Sequence, residues 1–283
     1  MIKQPHSLSE LLRMPAGPTN LDSVDPRSTP GFNGDKTAAE AARAVEASVL
    51  SDLQERLFAE GQSGGSRSVL LVLQGMDTAG KGGTVRHVLG EVNPQGCAVA
   101  AFGAPTKEEL AHTFLWRIRP HAPKPGIIGV FDRSHYEDVG IVRVHDLVPP
   151  EVWRRRYGEI NRFEEGLAAG GTTIIKCFLH ISRDESKTRL LARLDNPHKH
   201  WKFKSPDIDE RAFWDAYMEA YNVAIERCNS DAAPWFVIPA DRKWYRNWAV
   251  TRLLIETLQT MAPQWPVADF DVAAERARLI ASG

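Results

Sequence analysis

Cysteine is scarce in this 283-residue chain: Cys97, Cys177 and Cys228 are its only three, widely spaced and mostly within apolar runs. Such spacing excludes a disulfide framework or a cysteine metal site and suits reduced core thiols of a cytoplasmic protein. Net charge is scarce too. The 35 basic residues face 36 acidic ones, for a formal charge of −1, so no global bias draws the chain to nucleic acid or to a membrane surface. No apolar run approaches the ~18 residues of a membrane span, and the first residues lack the basic-then-apolar pattern of a secretory signal. Internal repeats, low-complexity segments and a Ser-His-Asp or Cys-His arrangement are also missing. With 43% hydrophobic residues, the chain is long enough for one large α/β domain with extra elements.

What is present begins with Gly75-Met-Asp-Thr-Ala-Gly-Lys-Gly-Gly83. It follows the apolar run Val69–Leu73 and precedes a helical pattern, which is the strand, glycine-rich loop and helix context of a phosphate cradle. Gly80, Gly82 and Gly83 let successive N–H groups point at one anion, and the helix N-terminus adds partial positive charge. Lys81 is placed to reach a terminal phosphate. The residue after it is Gly82, where such loops usually carry a Ser or Thr hydroxyl for magnesium. Asp77 lies inside the loop instead. An acid among phosphates is repulsive unless a cation sits between them, so Asp77 reads as a magnesium ligand or a proton acceptor.

Residues 1–36 carry Pro5, Pro15, Pro18, Pro26 and Pro30 with several glycines and little periodicity, and are expected to form an extended arm packed on the domain or on a neighbouring subunit. Residues 37–283 then read as one domain. A helix is predicted over 36–60, followed by alternating strands and helices: strands at 69–73, 97–102, 127–131, 172–181 and 235–239, and helices at 83–92, 107–120, 149–169, 183–194, 211–228 and 242–261. Five strands alternating with helices imply a parallel sheet covered on both faces.

The third strand ends in Asp132-Arg133-Ser134-His135-Tyr136-Glu137-Asp138. Ligands bind outside the carboxyl ends of parallel strands, so Asp77, Lys81 and Asp132 are expected to converge. Two carboxylates with phosphate oxygens and water suit magnesium, which makes Asp77 and Asp132 the metal candidates. Arg133 is suited to clamp a phosphate with its fork, and Glu137 and Asp138 lie within reach of the acceptor or its ion. His135 reads as structural, and Tyr136 equally as packing. A second basic concentration follows: Arg183, Lys187, Arg189, Arg193, Lys199, Lys202 and Lys204 face Asp184, Glu185 and Asp195. Its place between the fourth and fifth strands is where a mobile, cationic lid over about 183–210 is expected. The loop Phe102–Thr106 leads into a segment bearing Arg117. Thr106 and Glu109 have the spacing of a capping box, which is compatible with acceptor binding there.

These elements, with Ala104-Pro-Thr106 and Asn196-Pro-x-Lys-x-Trp-Lys-Phe203, together resemble the polyphosphate kinase 2 family over about residues 36 to 262. The resemblance implies an α/β, three-layer α/β/α P-loop kinase fold with a five-stranded parallel sheet and a helical lid. It implies reversible transfer of a terminal phosphate between inorganic polyphosphate and AMP, ADP or ATP, with magnesium, or manganese in its place. The implied catalytic set is Asp77, Lys81, Asp132, Arg133 and Glu137. Polyphosphate is expected on Gly80, Lys81, Gly82, Gly83, Arg183, Arg189, Arg193, Lys199, Lys202 and Lys204. The nucleotide is expected on Asp77, Gly103, Thr106, Arg117, Arg133 and Glu137. Glu137, with Val142-Arg-Val-His-Asp-Leu-Val-Pro-Pro150 after it, resembles the class III branch accepting both AMP and ADP. No nucleic-acid or membrane partner is expected, whereas self-association into a dimer or tetramer is. The competing readings are an ATP-dependent nucleotide or nucleoside kinase of the same fold, against which Gly82 argues, and a nucleotide-gated scaffold with a degenerate loop.

Overall fold

A computed structural model describes residues 7–283, and residues 1–6 of the expected arm lie outside the described residues. Five strands, β1 (Ser68–Gln74), β2 (Cys97–Ala101), β3 (Ile128–Asp132), β4 (Thr172–His180) and β5 (Trp235–Pro239), form one parallel sheet in the order β2-β3-β1-β4-β5. The central strand β1 pairs with β3 on one side and β4 on the other, so Leu73 stands opposite both Asp132 and Cys177. Every residue of β1 and β5 is buried, as continuous apolar strands require when helices cover both faces.

The main helices are α1 (Lys36–Gln62), α2 (Lys81–Leu89), α3 (Pro150–Ala169), α4 (Arg183–Leu194), α5 (Trp214–Arg227), α6 (Lys243–Met261) and α7 (Val272–Ala281). α6 packs on both α1 and α2, and α3 packs on β4. α3 buries Trp153, Tyr157, Ile160 and Phe163, and α6 buries Val250, Leu253, Leu254 and Leu258, each set at helical spacing. α6 also buries Arg246, Asn247 and Thr251, polar residues that its apolar periodicity did not reveal.

Two elements differ from expectation. The helix predicted over 107–120 is a single turn, Lys107–Leu110, followed by turns and the 3-10 segment Arg119–His121. The backbone N–H groups of His112 and Trp116 donate only across three residues, to Glu109 O at 3.2 Å and Thr113 O at 2.8 Å, so the helical ladder breaks there. The apolar residues at helical spacing in this segment part accordingly: Leu110 is 69% exposed while Leu115 and Ile118 are buried. The helix predicted from Arg211 begins at Trp214, after a 3-10 turn.

The arm lies against the domain. Leu8, Leu12 and Leu21 are buried. The backbone N–H groups of Leu8 and Ser9 donate to Glu256 at 3.1 and 3.0 Å, Met14 N donates to Trp235 O at 2.9 Å, and Asp241 N donates to Pro26 O at 3.1 Å. The arm thus follows the β5 edge and reaches the start of α6.

Candidate active site

The loop between β1 and α2 closes through backbone that ordinary residues avoid. Gly80 holds φ +103°, and a β-carbon there would stand 1.8 Å from Arg246 Nη1, so no larger residue fits. Thr78 takes the left-handed region at φ 69°, at a cost of about 1 kcal/mol. Lys81 is 8% exposed. Its Nζ donates to Gly75 O at 2.7 Å and to Met76 O at 3.4 Å, folding the amine back over its own loop. Burial lowers the pKa of this amine, against the pull of Asp77.

Arg133 Nη2 donates to Asp77 Oδ1 at 2.9 Å, joining the phosphate loop to the end of β3. Burial favours a protonated Asp77, but Lys81 and Arg133 together outweigh it and hold the carboxyl below its usual range. Arg133 itself sits at φ 64°, a strain of about 1–2 kcal/mol in the turn that reverses the chain after β3. Burial also raises the Glu137 carboxyl, despite Arg133 and Lys81 nearby. The Gln74 amide ties this turn to β1: its nitrogen donates to Glu137 Oε1 at 3.1 Å, and its oxygen accepts from Ser134 Oγ at 3.0 Å and Ser134 N at 3.1 Å.

Asp132 closes the cluster from the sheet side. A β-carbon on Gly82 would stand 3.4 Å from Asp132 Oδ2. The position after the loop lysine and the strand-end acid therefore share one small space, which glycine leaves open. Asp77, Asp132 and Glu137 all act on Lys81 beside Arg133, giving three carboxylates and two cations before any phosphate arrives. Among the described residues, no three His, Cys, Asp or Glu side chains are grouped to hold a metal alone. Two carboxylates, completed by phosphate oxygens and water, fit the octahedral oxygen preference of magnesium. The donor set suits a cation that comes with its phosphate.

Beside this cluster lies a cavity of about 370 Å³. Asp77, Arg133 and Glu137 contribute its charge, and Phe102, Leu147 and Val148 contribute apolar wall. The segment after α4 completes it with Arg211 and Tyr217, and no residue of α2 or α6 lines it. Gly103 and Arg117 line it as well, with Arg117 Nη1 donating to Gly103 O at 2.9 Å. Thr106 lies outside the lining and forms the capping box with Glu109.

The basic residues of 183–204 divide. Arg193 Nη1 donates to Lys202 O at 3.0 Å and to Asp207 Oδ2 at 3.1 Å. Lys199, Lys202 and Lys204 are exposed. Arg183 is exposed and donates to Arg211 O at 3.4 Å. Arg189, expected among the polyphosphate bases, is 7% exposed. Its Nη1 donates to Thr78 O and Ala79 O at 2.9 and 3.1 Å, and its Nη2 to Ala240 O and Asp241 O at 2.6 and 2.9 Å. The physical reason is position: α4 lies against the phosphate loop, whose irregular carbonyls need donors that no ladder supplies. Arg189 fastens the loop to the end of β5.

Behind the turn after β3 is a second charged group, fully buried. Lys176 Nζ donates to Glu164 Oε2 at 2.6 Å, Tyr136 OH at 2.8 Å and Cys228 O at 2.6 Å. Glu164 Oε1 accepts from Tyr136 OH at 2.9 Å and lies 3.1 Å from His135 Nε2. His135 and Tyr136 thus anchor the turn that carries Glu137. The pairing of Glu164 with Lys176 escaped sequence reading, because an acid on α3 and a lysine in an apolar strand give no joint signal. Arg246, Gln74 and the Asp207–Tyr217 wall also went unforeseen.

The sequence matches the polyphosphate kinase 2 family over residues 33–266. The chain is 52% identical over 252 residues to the AMP/ADP-polyphosphate phosphotransferase of Meiothermus ruber, covering 89% of this chain and 93% of that one. It is 44% identical over 229 residues to the ADP-polyphosphate phosphotransferase of Rhodopseudomonas palustris, covering 77% and 78% of the two chains. The crystal structure of polyphosphate kinase 2 from Arthrobacter aurescens superposes with a TM-score of 0.95 at 52% identity, over 98% of this chain and 97% of that one. The chain belongs to the polyphosphate kinase 2 family.

Proposed function

We propose that the chain transfers the terminal phosphate of inorganic polyphosphate to ADP and to AMP, reversibly, with magnesium or manganese. The observation that carries this reading is the cavity that pairs apolar walls with Asp77, Arg133 and Glu137 beside the phosphate loop. A nucleotide acceptor needs walls for its base and ribose; a donor made only of phosphate needs cations alone. The relatives' names, which pair polyphosphate with AMP and ADP, support the same assignment.

In this reading an oxygen of the acceptor's terminal phosphate attacks the terminal phosphorus of the chain. The bond from that phosphorus to the bridging oxygen breaks, and polyphosphate leaves one unit shorter. A phosphate whose second pKa is near 6 is ionised at neutral pH, so no base is required. That favours Asp77 as a cation ligand over Asp77 as a proton acceptor, and its depressed pKa supports the choice. Asp77 and Asp132 would hold magnesium, which supplies positive charge between the meeting phosphates. Lys81 adds charge at the loop, and Arg133, braced by Asp77, orients the acceptor phosphate. Positioning and neutralisation then carry the rate, without a covalent intermediate.

Two coarser expectations belong to the same proposal. The run Trp265, Val267, Phe270, Val272, Leu279 and Ile280, each at least half exposed, supports self-association into a dimer or tetramer, which light scattering tests. The free thiols Cys97, Cys177 and Cys228 support a cytoplasmic place; among the described residues no helix is long and apolar enough to cross a membrane. The activity test supplies polyphosphate as sole donor with ADP, then with AMP. Formation of ATP from ADP and of ADP from AMP supports the proposal. Phosphorylation from ATP but none from polyphosphate overturns it.

A further inference from the structure

The segment Val142-Arg-Val-His-Asp-Leu-Val-Pro-Pro150 carries Arg143 and His145, to which the function proposed above gives no task. It begins in the single helical turn Ile141–Val144 and supplies one wall of the cavity through Val142, Leu147 and Val148, while another wall comes from Glu210, Trp214 and Tyr217. His145 stands outside the lining. Its Nε2 lies 3.1 Å from Glu210 Oε2, and Tyr217 OH donates to the same oxygen at 2.7 Å. A carboxylate oxygen only accepts, so the His145 Nε2 proton points to it. The imidazole also packs on Phe213, ring centroids 4.7 Å apart, and Arg143 Nη2 donates to Glu219. These contacts clasp the two walls together.

The backbone is bent for this reach. His145 N donates to Ile141 O and Leu147 N to Val142 O, both at 3.0 Å, so the chain doubles back at Asp146, which holds φ 49°. A non-glycine residue in that region is strained, and such strain persists where the surroundings fix it. The bend sends His145 to Glu210 and returns Leu147 to the lining. Glu210 is left half-engaged: two donors hold Oε2, and Oε1 accepts no hydrogen bond among the described residues. Its side chain is 30% exposed and lines the cavity. A carboxylate repels phosphate and binds neutral N–H or O–H groups. On a nucleotide those groups belong to the nucleoside, as ribose hydroxyls and the exocyclic amine of the base.

We infer that His145 is a positioning residue for the acceptor: with Tyr217 it holds Glu210 so that the free Oε1 accepts a hydrogen bond from the nucleoside of ADP or AMP. The inference rests on the nucleotide reading above and deepens it, by assigning the group that reads the nucleoside rather than its phosphates. Two donors on one carboxylate oxygen fix the plane of the group, and with it the direction in which the other oxygen points.

The variants His145→Ala, His145→Gln and Glu210→Ala test it. Calorimetry measures ADP affinity without polyphosphate, and steady-state kinetics separate the KM for ADP, the KM for polyphosphate and kcat. His145→Ala and Glu210→Ala are each expected to weaken ADP binding and raise its KM about tenfold, with kcat and the polyphosphate KM within about twofold of the parent. His145→Gln, whose amide N–H can replace the imidazole donor, should recover most of the loss. The analogues 2′-deoxy-ADP, 3′-deoxy-ADP and inosine diphosphate, which lack one hydroxyl each or the amine, locate the group that Glu210 binds. The parent should bind one of them about tenfold more weakly than ADP, and His145→Ala should bind that analogue and ADP alike. A parent that binds ADP and every analogue alike, or a His145→Ala loss confined to kcat or to the melting temperature, would overturn the inference. A parent that shows the expected binding pattern yet transfers nothing from polyphosphate would instead overturn the function proposed above, so the two failures are distinguishable.

Discussion

Two charged clusters lie on either side of the turn after β3, and they are built oppositely. The inner one, Glu164, Lys176, His135 and Tyr136, balances one carboxylate with one ammonium inside a closed shell of hydrogen bonds. Only His135 Nδ1 lacks a partner within it. Burial would raise the Glu164 carboxyl, but Lys176 and His135 more than cancel it and hold the group low. The outer cluster has three carboxylates against two cations, a half-exposed Asp77–Arg133 pair with 43% and 39% of its side chains open, and Glu137 driven upward by burial. A closed, neutral network has nothing left to offer a ligand. In the proposed function, phosphate and its counter-ion complete the open, unbalanced one. The difference separates scaffold from chemistry more sharply than residue type does, since both clusters are made of ordinary acids and bases.

The largest expected effect strikes the outer cluster. Lys81→Ala and Asp132→Asn should each lower kcat/KM roughly 10³-fold or more, because each removes several kcal/mol of charge stabilisation at the transition state. Thermal unfolding should change little. Folded variants within tenfold of the parent would erase the distinction between the clusters from the outer side. The inner side is tested by Lys176→Met, which strands Glu164 without its ammonium. Breaking a buried pair costs roughly 3–5 kcal/mol, read from urea unfolding, while kcat per folded molecule stays within a few-fold. A large kcat loss at unchanged stability would make the inner network part of the chemistry.

Two arginines of α4 sharpen the same contrast within one helix. Arg189 serves four backbone carbonyls, so Arg189→Met should cost roughly 2–3 kcal/mol of stability by leaving loop carbonyls unsatisfied. Arg193, held only by Lys202 O and Asp207, faces Asp77 closely enough to lower its pKa. Arg193→Ala should keep the melting temperature, raise the KM for polyphosphate several-fold, and flatten its salt dependence. Identical behaviour of the two variants would mean that burial does not sort these bases.

That pair also marks where sequence reading stopped. The alternation of strands and helices, the parallel sheet and the meeting of Asp132 with the loop follow from contiguous patterns: apolar runs, a glycine-rich loop, an acid at a strand end. Arg189 and Arg193 are alike by spacing and composition, and only packing separates them. Arg246 hides in an apolar helix because its partners, Ala79 and Gly80, come from 167 residues away in the case of Ala79. The 107–120 segment misled for the converse reason. Its helical period was real, but turn closures at His112 and Trp116 broke the ladder and local pattern could not register that. Gly82 was legible as a missing hydroxyl; its shared space with Asp132 was not.

The smallest effects fall on Glu137, which touches both sides of the contrast: it faces the cavity yet is fixed by Gln74 from the scaffold. In the proposed function an AMP acceptor brings one phosphate, so it would lean more on Glu137 to hold the ion or its waters than ADP would. Glu137→Asn should therefore lower AMP phosphorylation about tenfold more than ADP phosphorylation, a difference of roughly 1.4 kcal/mol; equal losses would reduce Glu137 to scaffolding. Stability gives an independent reading through Glu137→Gln. The folded pKa of Glu137 lies above its unfolded value, first through burial. Its contribution to stability is thus complete below the ordinary value near 4.5 and is lost as pH rises through the raised folded value. At neutral pH the buried charge is a net cost, so the glutamine variant should melt slightly higher than the parent. That gain should shrink as the pH falls and vanish in acid, where both side chains are neutral. A gain that persists unchanged at low pH would come from packing instead. It would place Glu137 with the closed inner network and leave Asp77 and Asp132 as the only unbalanced acids at the phosphate loop.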